Sequence, residues 1–351
     1  MRGVYLPGGR QVDIRTVPDP TPGPGQVVLA MRASTICGSD LRAIYREHLG
    51  EGPEAYQDVV AGHEPCGEVV AVGPDVEGRR VGDRVVVYHI SGCGRCDDCR
   101  AGYQISCTSS RRRAYGWQRD GGHADYLLAD DRDLLALPEG LTWLDGACVA
   151  CGFGTAWEAL GRVAAGGAEG LLVTGLGPVG LAAGLLARRL GAGPIIGADV
   201  SPTRRSAALE VGAVDAVVDS SGSSGSSGSV PEQVLTLTGG RGVEVAVDCS
   251  GAGAAQRDAV RSVRRWGRVG LVGEGAHLEL DVSPEVIHRS LTLVGSWVTS
   301  TGHMADLLRR LAAWELHPEV VVTDRLGMGE ADEAYRRADA GLGGKVGLVM
   351  A

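Results

Sequence analysis

Short apolar runs separated by glycine, proline and aspartate dominate the first part of the chain. Residues 26–33, 67–72 and 84–88 are rich in the aliphatic and β-branched residues that favour strands. Valine fills positions 85, 86 and 87, a pattern typical of a strand that is buried on both faces. Together these runs predict a small, irregular β-barrel.

From about residue 153 the pattern changes, and buried strands alternate with helices. The predicted strands cover residues 170–175, 194–199, 214–218, 244–248 and 267–272, and predicted helices cover residues 178–190 and 203–211. This spacing indicates a parallel, doubly wound α/β sheet of the Rossmann type. After residue 290 the elements are shorter, with a helix predicted over 304–314 and a last strand over 345–349. Residues 220–229 read SSGSSGSSGS, a flexible linker composition to which we assign no function.

Charge and composition exclude several classes of partner. The chain has 351 residues and a formal net charge of −9, which disfavours binding to the phosphates of nucleic acids. It has no apolar run of bilayer-spanning length and no basic-then-apolar signal segment at its start. We therefore expect a cytoplasmic protein that binds a small molecule, with no nucleic acid and no membrane as partner. The chain has a single lysine, Lys345, among its 34 basic residues, and the sequence alone gives that lysine no function.

The nine cysteines indicate metal ligands or buried thiols, because an odd number without a secretion signal does not suit a disulfide framework. Four of them cluster within one short segment: Cys93, Cys96, Cys99 and Cys107. Thiolates at this spacing can surround one tetrahedral Zn²⁺ and leave no open position, which predicts a structural zinc lobe over residues 93–107. The alternative is four unrelated buried thiols, which requires this clustering to arise by chance.

A second candidate metal set is dispersed along the chain. Cys37, His63 and Cys151 can together supply two thiolates and one imidazole, with a fourth position left for water or substrate. Spacing alone does not establish this site, because a lone cysteine is more often a small buried hydrophobe.

The run Gly175-Leu-Gly177-Pro178-Val179-Gly180 has the G-x-G-x-x-G pattern of a dinucleotide-binding turn. It follows a predicted strand and begins a helix, whose N-terminal N–H groups can bind phosphates. Asp199 ends the next strand, where a carboxylate accepts hydrogen bonds from ribose hydroxyls and repels a 2′-phosphate, so we expect NAD in preference to NADP. Arg204 lies close by and either contacts the cofactor or belongs to a solvated helix turn. A plain strand–helix turn is the alternative for the whole segment.

Several motifs together resemble the zinc-containing alcohol dehydrogenases of the medium-chain dehydrogenase/reductase superfamily, especially their polyol and threonine dehydrogenase branches. They are Gly62-His63-Glu64-x2-Gly67-x5-Gly73-x2-Val76, Cys37-Gly38-Ser39-Asp40, the cysteine lobe and the tail Gly344-Lys345-Val346. The resemblance covers essentially the whole chain. It implies a GroES-like catalytic domain over 1–152, a Rossmann domain over 153–290 and a return segment over 291–351 that completes the first domain. It also implies two Zn²⁺ ions per chain, NAD as cofactor, and a homodimer or homotetramer.

The resemblance also implies roles for residues around the dispersed metal set. Cys37, His63 and Cys151 would bind the catalytic zinc, with Cys148 as a rival to Cys151. Glu64 would sit beside the metal, and Ser39 would take the alcohol proton. Many relatives carry a histidine five residues after the first ligand, but this chain has Arg42 there. A guanidinium does not accept protons, so the proton route would use ribose hydroxyls, water or His48.

The substrate is less clearly indicated. His89 and Trp117 fall in segments that approach the substrate pocket in the family, and they suit a polar, ring-shaped substrate. We expect hydride transfer at a secondary alcohol of a polyol, sugar or cyclitol. The alternative for His89 and Trp117 is a purely structural packing role. The alternatives are a zinc-free quinone or enone reductase on the same fold, and a non-catalytic nucleotide-binding sensor.

Overall fold

The structure is a computed structural model that describes residues 1–167, 169–222, 228–275, 277–341 and 343–350. The chain forms two compact units, one of Met1–Gly154 with Thr299–Ala351 and the other of Thr155–Val298. The domain limits predicted from the sequence, at 152 and 290, stay predictions. Of the predicted linker at 220–229, residues 223–227 lie outside the described residues.

The first part of unit 1 is made mainly of strands. They are β1 Arg2–Gly8, β2 Gln11–Thr16, β3 Gln26–Thr35, β4 Pro65–Val72, β5 Arg84–Val87, β6 Ile90–Ser91, β7 Arg113–Ala114, β8 Tyr126–Asp130 and β9 Leu134–Ala136. Three short helices lie between and after them: α1 Gly38–Asp40, α2 Asp97–Arg100 and α3 Trp143–Cys148. The three strands predicted from the sequence correspond to β3, β4 and β5. Val85, Val86 and Val87 are fully buried, as their uniform apolar character predicts.

Unit 2 contains the alternating elements that the second sequence pattern predicts. Its strands are β10 Leu171–Thr174, β11 Ile195–Asp199, β12 Ala216–Asp219, β13 Val243–Asp248, β14 Val263–Leu271 and β15 Thr292–Gly295. The helices are α4 Gly154–Arg162, α5 Pro178–Arg189, α6 Pro202–Glu210, α7 Val230–Leu237 and α8 Gly253–Ser262. The strands pair in parallel in the order β12-β11-β10-β13-β14-β15, which is the doubly wound Rossmann arrangement.

The chain then returns to unit 1 through α9 Thr301–Trp314, β16 Val322–Gly327, α10 Ala331–Ala340 and β17 Lys345–Val349. Strand β17 pairs antiparallel with β3, placing Gly347 opposite Thr35. The resulting sheet runs in the order β16-β17-β3-β4-β5-β9, with β8 also paired to β3. This return explains how residues near position 345 reach residues near position 35. The fold is therefore α/β, with a β-barrel unit and a Rossmann unit.

Within the described residues, no helix combines the length and apolar character needed to cross a membrane.

Candidate active site

The four cysteines of the predicted zinc lobe come together in unit 1. Their sulfur atoms lie within 4.8 Å of one another, with the Sγ atoms of Cys93 and Cys99 4.0 Å apart. The backbone N–H groups of Arg95 and Cys96 each donate to the Sγ of Cys93 at 3.4 Å and lower the pKa of that thiol to about 6. Four thiol ligands held this closely fit a tetrahedral zinc without an open position.

A buried polar network joins this lobe to the barrel. The side chain of Gln104 accepts the N–H of Gly92 at 2.6 Å and donates to Oδ1 of Asp133 at 3.2 Å. The Tyr115 hydroxyl donates to Oδ2 of the same carboxylate at 3.0 Å, and Asp133 has no exposed surface. Burial raises the pKa of Asp133 to about 6. No sequence motif indicated Gln104 or Asp133, because their contacts join separate segments of the chain.

The dispersed metal set also converges within unit 1. One candidate ligand atom each from Cys37, His63, Glu64 and Cys151 lies within 4.8 Å of the others. Cys37 follows β3, His63 and Glu64 directly precede β4, and Cys151 lies in the helical turn Val149–Phe153. His63 and Glu64 are buried, whereas both cysteines are half-buried. Two thiols and one imidazole are a donor set that suits a catalytic zinc, so these residues fit that ion.

Cys148 lies outside this cluster. Its side chain is buried in α3, and burial raises the pKa of its thiol well above the usual range. The two cysteines within the cluster have opposite pKa shifts. The hydrogen bond between their thiols lowers the pKa of Cys37 and raises that of Cys151. A thiolate is thus favoured at Cys37 even before a metal is considered.

Asp40 orients the His63 imidazole. Its Oδ1 lies 2.7 Å from Nδ1 of His63, and its Oδ2 accepts the backbone N–H of Cys37 at 3.1 Å. Burial lowers the pKa of His63, but the Asp40 carboxylate and the Cys37 thiolate outweigh it, so that the pKa lies well above its usual value. With Nδ1 engaged in this way, Nε2 is the nitrogen left to bind a metal. No role for Asp40 was predicted from the motif Cys37-Gly38-Ser39-Asp40.

Glu64 is held by two other side chains. The Nζ of Lys345 lies 2.7 Å from its Oε1 and 2.6 Å from its Oε2, and the Thr35 hydroxyl donates to Oε2 at 2.6 Å. Burial raises the pKa of Glu64, and the charge of Lys345 opposes that shift. No role beside Glu64 was predicted from the sequence for Lys345 or Thr35. The available signal was that Lys345 is the only lysine.

The residues predicted to line a substrate pocket lie near the cluster. His89 is almost fully buried; its Nδ1 lies 2.8 Å from the carbonyl oxygen of Ala150, and its ring centroid lies 5.2 Å from that of His63. Burial lowers the pKa of His89 to about 4, so the imidazole is neutral. The Trp117 indole N–H donates to Oδ1 of Asp40 at 3.4 Å, and its ring packs against the barrel core.

The residues considered for proton transfer occupy separate positions. Ser39 is half-buried in α1, two residues after Cys37. Arg42 is exposed one helical turn further on, in the segment Leu41–Tyr45. The Nε2 of His48 lies 2.8 Å from the carbonyl oxygen of Leu6, so this nitrogen is engaged by the backbone.

In unit 2 the glycine run connects β10 to α5. Gly175 has φ +85°, and a Cβ there would lie 2.7 Å from Ser250, so the position requires glycine. Gly177 is the N-cap of α5, and a Cβ there would meet nothing within 4 Å, which leaves the backbone open to a ligand. Pro178 and Val179 start the helix. A Cβ on Gly180 would lie 1.9 Å from the carbonyl oxygen of Gly175, so the helix packs directly on the turn.

Asp199 is fixed beside this turn at the end of β11. Its Oδ2 accepts the N–H of Leu176 at 2.8 Å, and its Oδ1 accepts the N–H of Ser201 at 2.8 Å. Nη1 of Arg204 lies 3.9 Å from Oδ2, while the guanidinium of Arg205 donates to the Asp199 carbonyl oxygen at 2.7 Å. The turn, the helix N-terminus and the carboxylate thus have the arrangement expected of a dinucleotide-binding site.

Two family models match the chain. Residues 23–139 match the alcohol dehydrogenase GroES-like domain, and residues 178–313 match the zinc-binding dehydrogenase family. The first match contains Cys37, His63 and the cysteine lobe, and the second begins at Pro178 within the glycine run. Cys151, Gly175 and Gly177 lie between the two matches.

Full-length relatives support the same assignment. The chain is 45% identical to YphC, an uncharacterised zinc-type alcohol dehydrogenase-like protein of Escherichia coli, over 99% of this chain and 98% of that protein. It is 31% identical to an L-threonine 3-dehydrogenase of Pyrococcus horikoshii over 97% of this chain and 96% of the relative. Among solved structures, galactitol-1-phosphate dehydrogenase of Escherichia coli is similar with a TM-score of 0.88, 25% identity and full coverage of both chains.

Proposed function

Because the chain belongs to the zinc-containing alcohol dehydrogenase family of the medium-chain dehydrogenase/reductase superfamily, we propose that it transfers a hydride between a secondary alcohol and NAD, using a zinc centre at Cys37, His63 and Cys151. Membership of the family makes it an alcohol dehydrogenase that acts on a small molecule. The observation that carries the proposal is the convergence of two thiols and one imidazole in unit 1. A second zinc in the cysteine lobe would have a structural role.

The residues around the proposed catalytic metal have different roles. Cys37, His63 and Cys151 would hold the ion, which supplies Lewis-acid polarisation of the substrate oxygen. Two thiolates would balance the charge of Zn²⁺, so the centre would suit either an alcohol or a neutral ketone as a further ligand. Asp40 fixes the tautomer and orientation of His63 through its 2.7 Å contact with Nδ1.

Ser39 is our candidate for the first proton acceptor on the chain. Its half-buried hydroxyl follows Cys37 by two residues, and a hydroxyl can accept one proton while it donates its own. Arg42 cannot continue the route, because a guanidinium offers no acceptor for a proton. The next carrier would then be a ribose hydroxyl or water, since Nε2 of His48 already contacts a backbone carbonyl.

The cofactor site favours NAD. The Asp199 carboxylate is held next to the glycine run by the N–H groups of Leu176 and Ser201. A fixed negative charge at this position accepts ribose hydroxyls and repels the 2′-phosphate of NADP. Arg204 forms an ion pair with Asp199. A phosphate would therefore have to compete with the Asp199 carboxylate for the Arg204 guanidinium.

For the substrate we propose a polyol, sugar or cyclitol. His89 is a neutral imidazole near the His63 ring, and its Nδ1–H donates to Ala150, so its Nε2 is a hydrogen-bond acceptor for a hydroxyl group. The Trp117 ring adds an apolar surface suited to stacking on the face of a ring. Galactitol-1-phosphate dehydrogenase, a structural relative, is named for a phosphorylated polyol.

We propose that the enzyme is a cytoplasmic homodimer or homotetramer. None of the nine cysteines, all of which lie within the described residues, forms a disulfide, and reduced thiols suit a reducing compartment. Strand β15 ends the sheet of unit 2, and Leu293 in this strand is exposed together with the nearby Trp297. Exposed apolar side chains on a sheet edge are a surface that a second copy can cover.

The first test is zinc content per chain in the wild type, in Cys151→Ala and in the matched control Cys148→Ala. We expect two ions in the wild type and in the control, and one ion in Cys151→Ala. The wild type should then reduce NAD with polyols or cyclitols. One ion in all three proteins would contradict the catalytic zinc, and turnover of quinones or enones without zinc would favour the reductase alternative. Two ions with cofactor binding but no turnover over a broad alcohol panel would favour the sensor.

A further inference from the structure

Asp248 is a buried carboxylate of unit 2 that no sequence motif indicates. It ends β13 and has no exposed surface. Its Oδ1 accepts the hydroxyl groups of Thr174 at 2.8 Å and of Ser250 at 2.6 Å, and its Oδ2 accepts the N–H of Gly251 at 3.0 Å. Burial of a carboxylate is costly unless donors of this kind replace the lost hydration. These donors belong to two separate segments, so the carboxylate connects the two.

The first segment leads into the glycine run. Thr174 ends β10, lies opposite Asp248 in the parallel pairing of β10 with β13, and is buried. The next residue is Gly175, whose φ of +85° makes the tight turn. The Thr174 hydroxyl therefore ties the residue before the turn to the neighbouring strand.

The second segment is the loop 249–252, which follows β13. In addition to its hydroxyl, Ser250 donates its N–H to Oδ1 of Asp248 at 3.2 Å. The loop packs directly on the glycine turn, because a Cβ on Gly175 would lie 2.7 Å from the backbone nitrogen of Ser250. On its other side, a Cβ on Gly251 would lie 2.3 Å from the carbonyl oxygen of Glu274. The loop is thus enclosed between the glycine turn and the segment that follows β14.

These contacts lie where an open α/β sheet binds its ligand. In the order β12-β11-β10-β13-β14-β15, the chain proceeds outward in one direction from β10 and in the opposite direction from β13. Ligands of doubly wound sheets bind in the crevice at the carboxyl ends of the two strands that flank this reversal. Thr174 and Asp248 are the last residues of those two strands, so their hydrogen bond joins the two sides of the crevice.

We propose that Asp248 is a positioning residue of the cofactor site, which fixes the glycine turn and the loop 249–252 relative to each other before a dinucleotide binds. The inference rests on the proposed function, because it presupposes that the glycine run binds the cofactor. Asp199 is expected to contact a ribose, whereas Asp248 has no exposed surface and acts through the groups that it holds. A site that is ordered in advance avoids part of the entropic cost of binding, so loss of this carboxylate weakens the affinity for the cofactor.

The test measures the Kd of NADH from the change in its fluorescence on binding. Thr174→Val removes the hydroxyl and keeps the shape of the side chain, and Asp248→Asn replaces one carboxylate oxygen by a group that cannot accept a hydrogen bond. We expect Kd to rise about tenfold in both variants, the scale of a lost hydrogen bond to a charged group. Thr174→Ser retains the hydroxyl and should bind NADH like the wild type.

A second measurement reports the order of the site before the cofactor binds. Without NADH, amide hydrogen exchange over residues 175–177 and 249–252 should be faster in Thr174→Val than in the wild type, because the two segments are no longer joined through the hydroxyl. Unchanged exchange over both segments would overturn the inference.

Asp215→Asn and Thr236→Val are the matched controls. Asp215 is a carboxylate that accepts the N–H of Ile195 at the amino end of β11, which is the opposite end of the sheet from the crevice. Thr236 is exposed on α7. Both variants should bind NADH like the wild type.

A role in stability alone gives a different result. Folded Asp248→Asn and Thr174→Val that melt at a lower temperature but bind NADH as tightly as the wild type would overturn the inference. If Asp248→Asn does not fold, Thr174→Val and Thr174→Ser decide the question, because both keep the carboxylate. Failure of the proposed function is distinguishable: a wild type that binds NADH but oxidises no alcohol would contradict the dehydrogenase, while the binding measurements still decide the role of Asp248.

Discussion

Nδ1 of His63 lies 2.7 Å from Oδ1 of Asp40, a carboxylate that has no exposed surface. The contact fixes the orientation of the His63 imidazole, which is a candidate metal ligand. It also sets the tautomer, because the nitrogen that donates to Asp40 cannot also bind a metal.

Asp40→Asn should therefore weaken metal binding at the dispersed set. An amide is a poorer acceptor than a carboxylate and no longer favours the required tautomer, so we expect zinc affinity there to fall by about 10–100-fold. Competition with a chelator measures this affinity. The lobe zinc should be unaffected, and the exposed Asp75→Asn serves as the matched control. Equal affinity in wild type and Asp40→Asn would contradict the orienting role.

Asp199→Ala should change the choice of cofactor. The substitution removes the ribose acceptor and the charge that repels a 2′-phosphate, and it frees the N–H of Leu176 in the glycine run. We expect kcat/KM for NAD to fall by about tenfold or more, the usual cost of losing hydrogen bonds to a charged group, while that for NADP falls less or rises. Asp215→Ala, next to the start of the same strand, is the control. An unchanged ratio of the two cofactors would show that Asp199 does not select between them.

Gly180→Ala should abolish dinucleotide binding, because its Cβ would lie 1.9 Å from the carbonyl oxygen of Gly175 and would push the helix off the turn. Gly161→Ala is the matched control: it lies in α4, and a Cβ there meets nothing within 4 Å. Alanine in an unobstructed helix position is favourable by about 1 kcal/mol relative to glycine. Quenching of tryptophan fluorescence by NADH measures binding, and tight binding by folded Gly180→Ala would contradict the close packing.

His317→Gln should destabilise the protein at low pH only. Nδ1 of His317 lies 2.7 Å from Oδ2 of Asp145, and this hydrogen bond raises the pKa of the histidine above its usual 6.5. A raised pKa means that the folded state binds the proton more tightly. The stabilisation is thus complete below the unfolded pKa and is lost as the pH rises through the folded pKa.

Thermal melting at about pH 5.5 and pH 8.5 tests this dependence on either side of the histidine titration. The wild type should melt higher than His317→Gln at the lower pH, and the two should converge at the higher pH. The exposed His277→Gln is the control and should show no such difference between the two conditions. A difference in melting temperature between wild type and His317→Gln that grows with pH would contradict this assignment.

The sequence predicted those parts of the structure whose determining residues lie close together along the chain. The alternation of buried strands and helices located β10 to β14, and the context of Gly175, Gly177 and Gly180 identified the turn before α5. The cysteine spacing located the lobe because four ligands fall within one loop. For the dispersed set, resemblance to a family was needed, since Cys37 and Cys151 are far apart in the chain.

What the sequence did not predict depends on contacts between distant segments. Lys345 meets Glu64 across 281 positions, and nothing in the local pattern of β17 distinguishes it from any strand that begins with a basic residue. Trp117 was interpreted as a pocket residue from its neighbours, but only the structure reveals its contact with Asp40. Hydrophobic periodicity indicates which face of a helix or strand is buried. It does not indicate which polar group of a distant segment lies next to that face.

The late position of β17 has a consequence for synthesis of the protein. Cys37, His63 and Cys151 leave the ribosome long before Lys345, which lies six residues from the end of the chain. During that interval the Glu64 carboxylate lacks the ammonium group that it contacts in the folded chain. The Lys345–Glu64 ion pair can therefore form only after the segment of β17 has been synthesised, which makes it a late step in the folding of unit 1.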